Sequence, residues 1–388
     1  MLNVVVGHSD DSASLEAIDE VLTQCLDELN GQCPQAGVLF AGIDFEHAEI
    51  LQAIDRVFPQ LELIGCTTDG EMSSMLGFQQ DSLTLMLFVS DTLSIRVGCG
   101  NHADRDPIAA AQQAAQQAQQ GLSDIPKLCI AIPASYTEGR STTNGELILQ
   151  GLGEALGKGV PILGGTAGDQ FRFKTSYQFF KTQVLTDALP ILVFSGDLKV
   201  SHGIGCGWRP IGHKSRVTKA EGTVLYEIDG KPAIEFYQRY LGDRLPTAEN
   251  PLAVYDGKSD RCYMRVPNLY DPETGGINFL GNIPEQAIVQ VTDIYRDEVV
   301  AAAETALESA RQAYPGDHPS AVLLFSCCCR RWMLGTRAKE EYERVKQALP
   351  ESLPICGFYT YGEFSPLTQN GENYYHQETF VAVVIGTN

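Results

Sequence analysis

Two stretches near the C-terminus carry the residue types that do chemistry. One is Cys327-Cys328-Cys329-Arg330-Arg331-Trp332 and the other is Cys356-Gly357-Phe358-Tyr359-Thr360-Tyr361-Gly362-Glu363. Each follows a short apolar run, and strand ends in α/β sheets are where ligand crevices open. The phenols of Tyr359 and Tyr361 beside the Glu363 carboxyl suit a pocket with a few polar anchors. A guanidinium at Arg330 suits bidentate capture of a carboxylate; its competing role is an ion pair with Glu363. The candidate ligand-binding set is Cys327, Arg330, Phe358, Tyr359, Thr360, Tyr361 and Glu363. Three adjacent cysteines lack the spaced pairs of a zinc site, so no metal is expected there.

Two of the seven histidines, His202 and His376, are candidates for a haem ligand. Haem needs an axial ligand and an apolar slot. Gly203 and Gly205 beside His202 leave room for a flat group, while no Cys-x-x-Cys-His permits covalent c-type attachment. The competing role of both histidines is structural. Cys327, His376 and Glu363 also supply the types of a thiol nucleophile, a base and an orienting group. Their spacing does not require that role, and neither a Gly-x-Ser-x-Gly elbow nor a standard phosphate-binding glycine loop occurs. Catalysis is therefore not expected.

The elements that position these residues repeat. Echoes of the second stretch occur at Gly65-Cys66-Thr67-Thr68-Asp69-Gly70-Glu71 and Gly164-Gly165-Thr166-Ala167-Gly168-Asp169, and all three end in Thr-x-Gly-acid. Threonine can hydrogen-bond its own backbone in such a turn, and glycine permits a positive φ. The first two echoes read as linking turns. Before each echo, apolar residues alternate between strand and helix spacing. Val4-Val5-Val6, a helix through Leu15 to Leu29, Val38-Leu39-Phe40, a helix from about Glu46 to Val57 and Leu83 to Phe88 make one strand-helix-strand-helix-strand-strand unit. A second runs from Leu93 to Phe194; its Ala/Gln helix after Asp106-Pro107 reads as a surface helix. A third reads from Ile288 to Ile385. The looser segment from Lys199 to Glu285 reads as a degenerate fourth unit. The expected fold is α/β, with repeated βαβαββ units forming mixed sheets flanked by helices. Four units divide into two domains of two units each, 1–197 and 198–388.

Composition narrows the partners. Lys plus Arg number 28 against 49 Asp plus Glu, a formal charge of −21. Such a surface repels phosphate backbones and anionic lipid, so neither nucleic acid nor membrane is expected as a partner. No apolar run approaches the roughly 20 residues of a bilayer span, and the N-terminus reads as a strand rather than a signal peptide. Eleven cysteines, mostly single and within apolar runs, point to reduced thiols and a cytoplasmic setting.

Taken in order, further motifs accompany the echoes: Gly207-Trp208-Arg209-Pro210-Ile211-Gly212, Val217-Thr218-Lys219-Ala220-Glu221-Gly222, Lys231-Pro232-Ala233 and Phe325-Ser326-Cys327-x-x-Arg330. With the echoes they span nearly the whole chain, which resembles the FIST family, intracellular sensory proteins with an N-terminal and a C-terminal FIST domain. The resemblance implies a cytoplasmic small-molecule sensor. Its signal would pass to a separate partner such as a histidine kinase, a cyclic-nucleotide enzyme or a chemotaxis receptor. It also implies an alternative, since some members look like haem-binding nitric oxide sensors. The thiol-dependent hydrolase is a second alternative.

Overall fold

A computed structural model describes residues 1–388 except 123, 142–143, 256, 258–260 and 388. Three units share one strand order. In the first sheet Leu2–Ser9 lies beside Leu83–Ser90, then Ala36–Ala41, then Glu62–Thr67. In the second, Leu93–Asn101 is followed by Ala188–Gly196, Pro126–Ala131 and Ile162–Gly165. In the third, Lys199–Gly205 is followed by Phe380–Gly386, Ala321–Cys327 and Ile355–Thr360. Within each unit the two strands joined by a helical crossover pair in parallel and the other two pairings are antiparallel. The expected mixed sheets of repeated units are therefore present.

The hairpin that follows each echo leaves its own unit. Glu71–Ser73 and Gly77–Gln79 of unit one add to Ile355–Thr360 of unit three. Gln178–Phe180 and Gln183–Leu185 of unit two add to Glu62–Thr67 of unit one. Glu363–Pro366 and Asn373–His376 of unit three add to Ile162–Gly165 of unit two. The exchange closes a ring, so each six-stranded sheet contains two guest strands.

The inner faces of all three sheets meet in one core. Phe40, Ile130, Leu163, Leu192, Phe325 and Phe358 are buried together there. Phe358 packs on Phe40 at 4.4 Å and on Phe325 at 5.6 Å between ring centroids. Each such ring contributes about 1.5–3 kcal/mol by burial. Phe358 thus belongs to the central core and not to a pocket wall. Helices cover the outer faces, two per unit in the first two units. The Ala/Gln helix Pro107–Gln119 is more than a surface helix, because Ala110, Ala111, Ala114, Ala115 and Ala118 are buried on its sheet. Its small side chains permit close approach: a Cβ added at Gly98 would lie 1.9 Å from the Ala114 carbonyl oxygen.

Two expectations need correction. The segment after Lys199 is no fourth unit. Lys199–Gly205 is the first strand of unit three, pairing with Phe380–Gly386 as its counterparts do. Trp208–Glu221 through Ile288–Ile294 then form a separate antiparallel sheet with the helix Ala233–Leu241 against it. The strand Ile288–Ile294 belongs to this inserted sheet, and the third unit resumes only at the helix Arg296–Ala313. The division at residue 197 falls between units two and three, but guest hairpins cross it in both directions. No helix among the described residues is long and apolar enough to cross a membrane.

The echo acids of units one and three are bound alike. Glu71 accepts hydrogen bonds from Ser82 Oγ at 2.5 Å and Ser82 N at 3.3 Å. Glu363 accepts from Thr379 Oγ1 at 2.6 Å and Thr379 N at 3.2 Å. Burial pushes the Glu71 carboxyl up to about 7, against the opposing pull of the Ser82 and Thr68 hydrogen bonds. The folded protein then holds a proton that the unfolded chain releases near the ordinary glutamate value. Stability from this group is complete below about pH 4.5 and is lost as pH rises through about 7. Glu71→Gln is expected to gain on wild type by on the order of 3 kcal/mol between pH 4.5 and 8, read by urea unfolding at each pH. A difference that stays flat with pH would contradict a protonated Glu71.

Candidate functional site

The three echo turns meet. Gly168 N donates to the Thr67 carbonyl and Thr67 Oγ1 donates to the Gly168 carbonyl, both at 2.7 Å. Thr166 N donates to the Gly362 carbonyl at 2.9 Å, and Thr360 Oγ1 donates to the Thr166 carbonyl at 2.8 Å. Asp69 N donates to the Tyr359 carbonyl at 3.0 Å, and Tyr359 N to the Gly70 carbonyl at 2.8 Å. These contacts join every turn to the other two. Thr68 and Thr360 also accept from Gly70 N and Gly362 N of their own turns at 3.1 Å. Of the three Thr-x-Gly glycines, Gly70, Gly168 and Gly362, only Gly70 has a positive φ, +124°. Gly362 is required for space instead, since a Cβ there would lie 2.3 Å from the Tyr375 hydroxyl.

The second echo departs from the other two. Asp169 does not bind the start of the closing strand; it gathers the loop behind it. Its Oδ1 accepts from Phe173 N at 3.0 Å and from the Tyr361 hydroxyl at 2.6 Å, and its Oδ2 accepts from Lys174 N at 2.7 Å. Phe171 N donates to the Tyr361 hydroxyl at 2.7 Å, and Gln170 N to Asp69 Oδ1 at 2.6 Å. Gln170, Phe171 and Phe173 take φ of +56°, +58° and +51°, a left-handed backbone that costs such residues on the order of 1 kcal/mol or more each. Strain of this kind persists only where the surroundings over-determine it, and here the bonds to Asp169, Tyr361 and Asp69 do so.

The loop turns Phe171 and Phe173 toward Tyr361, at 6.2 and 5.5 Å between ring centroids. Trp332 meets Phe171 edge-on at 5.9 Å, and Tyr136 meets Tyr361 edge-on at 5.9 Å. Together with Tyr375, Cys328 and Cys329 they wall a cavity of about 490 Å³, closed on its far side by Pro246, Val266, Pro267 and Leu280 of the inserted segment. Among the described residues none of its walls is charged. A groove of about 720 Å³ elsewhere, along Leu2 to Val5 and Asp27 to Asn30, has no Phe, Tyr or Trp in its wall.

The inserted sheet is fixed to the body at the cavity's edge. Arg265, almost fully buried, donates to Glu146 at 2.7 Å and to the Tyr375 carbonyl at 3.0 Å. Val266 N donates to Gln377 Oε1 at 2.7 Å. Burial raises the Asp69 carboxyl to about 7, although Arg331 opposes the shift. The Arg331 guanidinium donates to the Asp69 carbonyl and lies 5.6 Å from the centre of the Phe171 ring.

Of the sequence-derived candidates only Tyr361 lines the cavity. Cys327 is buried at the end of its strand, while Cys328 and Cys329, one and two residues on, reach the wall. Arg330 is fully buried and pairs with Glu341, not Glu363, at 2.8 and 2.5 Å. It also donates to the Val299 and Glu378 carbonyls at 2.7 and 3.3 Å, and no fork remains for a ligand. Tyr359 donates to the same Glu341 at 2.6 Å. Thr360 is spent on the turn, and Glu363 is fully buried with its Oε2 held by Thr379. The missed wall residues Phe171, Phe173 and Trp332 had one signal each in the chain: Phe171 and Phe173 flank Arg172 just past the second echo, and Trp332 follows Arg330-Arg331 past the thiol run.

The two histidines do not fit haem in this arrangement. His202 Nε2 and His376 Nδ1 have no hydrogen-bond partner but are shielded from solvent, so neither presents a free nitrogen to open space. The glycines beside His202 serve helix packing; a Cβ on Gly203 would lie 2.0 Å from the Ala306 carbonyl oxygen. His376 Nε2 donates to the Ser365 carbonyl at 2.8 Å, and burial lowers the ring's pKa to about 3. Because its other nitrogen bonds neither Cys327 nor Glu363, the nucleophile–base–orienter trio is not wired.

Residues 35–231 match the FIST N domain and residues 233–366 match the FIST C domain. The chain belongs to the FIST family, and FIST domains are a family of sensor domains. An uncharacterised protein of Methanocaldococcus jannaschii is 32% identical over 211 residues, covering 53% of this chain and 40% of that protein. An uncharacterised protein of Mycobacterium tuberculosis is 28% identical over 237 residues, covering 56% of this chain and 59% of its own length. This chain's matches thus span only part of these relatives. An uncharacterised protein of Mycobacterium bovis aligns over 93% of both chains at 23% identity. Among solved structures, a cyanuric acid hydrolase from A. caulinodans covers 100% of this chain at 11% identity and a TM-score of 0.38.

The Arg330–Glu341 pair is expected to be structural. Arg330→Ala should lower stability by about 3–5 kcal/mol, because it strands a buried carboxylate. Chemical denaturation reads the loss; a variant as stable as wild type would return Arg330 to the list of ligand-binding residues.

Proposed function

We propose that this protein senses a flat, uncharged organic molecule bound in the aromatic cavity and signals through a separate protein. The observation that carries this reading is the strained loop 170–173. Three non-glycine residues are held left-handed there, and the outcome is a wall of Phe171 and Phe173 facing Tyr361 and Trp332. The uncharged wall favours a neutral ligand, because burying a charge without a partner is costly. Aromatic rings supply stacking surface, and the Tyr136 hydroxyl and the Asn268 amide supply polar anchors. Burial holds the Tyr361 phenol well above its ordinary pKa, so it stays neutral.

The cavity lies between the three-sheet body and the inserted sheet. A ligand touching both favours one placement of the sheet over others, and a partner that contacts both surfaces reads that placement. A kinase, a cyclic-nucleotide enzyme or a chemotaxis receptor is the class of partner this output suits. The haem and thiol-hydrolase alternatives find less support, because the histidine nitrogens they need are shielded and the catalytic trio is unconnected.

A thermal-shift screen of neutral aromatic and heteroaromatic metabolites tests the reading, since a ligand of the native state must raise the midpoint with its concentration. Trp332 is 64% exposed, so Trp332→Ala leaves the core intact. It should weaken the ligand found by about tenfold or more, the loss of one stacking surface. A ligand whose affinity is untouched by Trp332→Ala would remove this cavity from the reading.

A further inference from the structure

At the cavity wall, and running into the interior behind it, lies a group of thiols whose chemistry the sensing reading does not use. The Sγ atoms of Cys327, Cys328 and Cys329 all lie within 4.8 Å of one another. Consecutive side chains of a strand point to opposite faces. The chain brings three together because it changes from the strand Ala321–Cys327 to the helix Cys328–Leu334 between the first and second. A zinc ion held at about 2.3 Å from each thiolate needs sulfurs about 3.8 Å apart. The cluster is therefore close to a ligand set, and the rule of spaced pairs that argued against a metal does not apply to a strand-to-helix corner.

Two buried carboxylates stand against this cluster. Glu378 is fully buried, and neither of its side-chain oxygens has a well-formed hydrogen bond among the described residues. The Cys329 thiol lies beside it. Its backbone is left-handed, with φ +64°. Glu363, also fully buried, has Oε2 engaged by Thr379 and Oε1 unpartnered, with the Cys327 thiol beside it. A buried carboxylate without donors is costly unless a cation or a proton meets it. Arg330 does not meet Glu378 in that way: it donates to the Glu378 backbone carbonyl and spends its fork on Glu341. Its charge still lies near both carboxylates and offsets the negative charge that three thiolates bring.

We infer that Cys327, Cys328, Cys329 and Glu378 bind one zinc ion, with Glu363 supporting the site through Cys327. Three thiolates and a carboxylate describe a structural rather than a catalytic zinc; the Glu378 carboxylate, which lies outside the 4.8 Å cluster of the three sulfurs, closes on the ion from its place beside Cys329. Without metal the thiols carry their protons at neutral pH, and the buried Glu378 carboxyl, lacking donors, carries one as well. Binding replaces each S–H bond by a sulfur–zinc bond and the carboxyl O–H by an oxygen–zinc bond, releasing about four protons to solvent. Cys328 and Cys329 line the aromatic cavity, which gives the ion a route in.

Full-length reduced protein titrated with Zn²⁺ against a chromophoric chelator tests the site. One ion per chain is expected, with about four protons released and, for Cd²⁺ in its place, a thiolate-to-metal charge-transfer band. Cys329→Ser should weaken binding at least 100-fold and shrink the band; Glu378→Gln should weaken it about 10–100-fold and leave the band. Cys33→Ser, an exposed thiol far along the chain, should change nothing. Because Cys329→Ser risks misfolding, its near-ultraviolet circular dichroism is compared with wild type, and Glu378→Gln serves as the second variant. No stoichiometric zinc, copper(I) bound with zinc refused, or unaltered affinity in Glu378→Gln and in a folded Cys329→Ser would each overturn the assignment. Binding of zinc by Trp332→Ala at full strength is expected, so this test stands or falls apart from that of the organic ligand.

Discussion

Everything in this molecule depends on three turns that bond to one another instead of to water. Each echo ends a strand of one sheet and begins a hairpin of the next, so its backbone groups sit where two sheets meet and solvent is absent. A buried backbone donor or acceptor left unpaired costs about as much as a lost hydrogen bond. The turns satisfy that demand mutually: Gly168 with Thr67, Thr166 with Gly362, Asp69 and Gly70 with Tyr359. Threonine side chains add the bonds the backbone cannot reach, such as Thr360 Oγ1 to the Thr166 carbonyl. The recurrence of Thr-x-Gly-acid follows from that geometry before any ligand is considered.

The hub then explains where binding surface is available. In units one and three the echo acid turns inward, and Glu71 and Glu363 bind the start of the closing strand with the same pair of bonds. In unit two the acid is one carbon shorter and turns to the following loop. That single divergence frees Asp169 to hold Phe171 and Phe173 in a backbone they would not choose alone. Symmetry builds the scaffold, and the place where it breaks holds the cavity.

Much of the fold was legible because strand and helix periods are local properties. The echoes, the parallel crossovers and the mixed pairing are all written in windows of a few residues. The count of units was not, because the inserted sheet separates Lys199–Gly205 from Arg296–Ala313 and ends in Ile288–Ile294, which has the pattern of a first strand. The hairpin exchange has no local signature, since Glu71 beside Phe358 is a pairing nearly three hundred residues apart in sequence. The site was less legible. Of the residues expected to line a crevice only Tyr361 does; it lies in the turn past the strand Ile355–Thr360, while Phe358 and Tyr359 alternate into the apolar clusters on the two faces of that sheet. Arg330 looked like a ligand clamp because its partner, Glu341, lies on another helix, where no spacing rule points.

The inserted sheet is what makes the cavity more than a gap between loops. The three-sheet body alone would leave Trp332, Phe171 and Tyr361 on an open face, where stacked rings gain little because water covers the other side. Arg265 lays Val266 and Pro267 across that face and is itself satisfied by Glu146 and the Tyr375 carbonyl. Apolar contacts join the same two parts nearby: Trp208, Ala253 and Met264 of the inserted sheet pack on Val299, Val300, Leu334 and Ala338 of unit three. The cavity therefore lies along a boundary held by buried apolar contacts as well as by the bonds of Arg265 and Val266, and a ligand between Trp332 and Pro267 would bear on both parts at once.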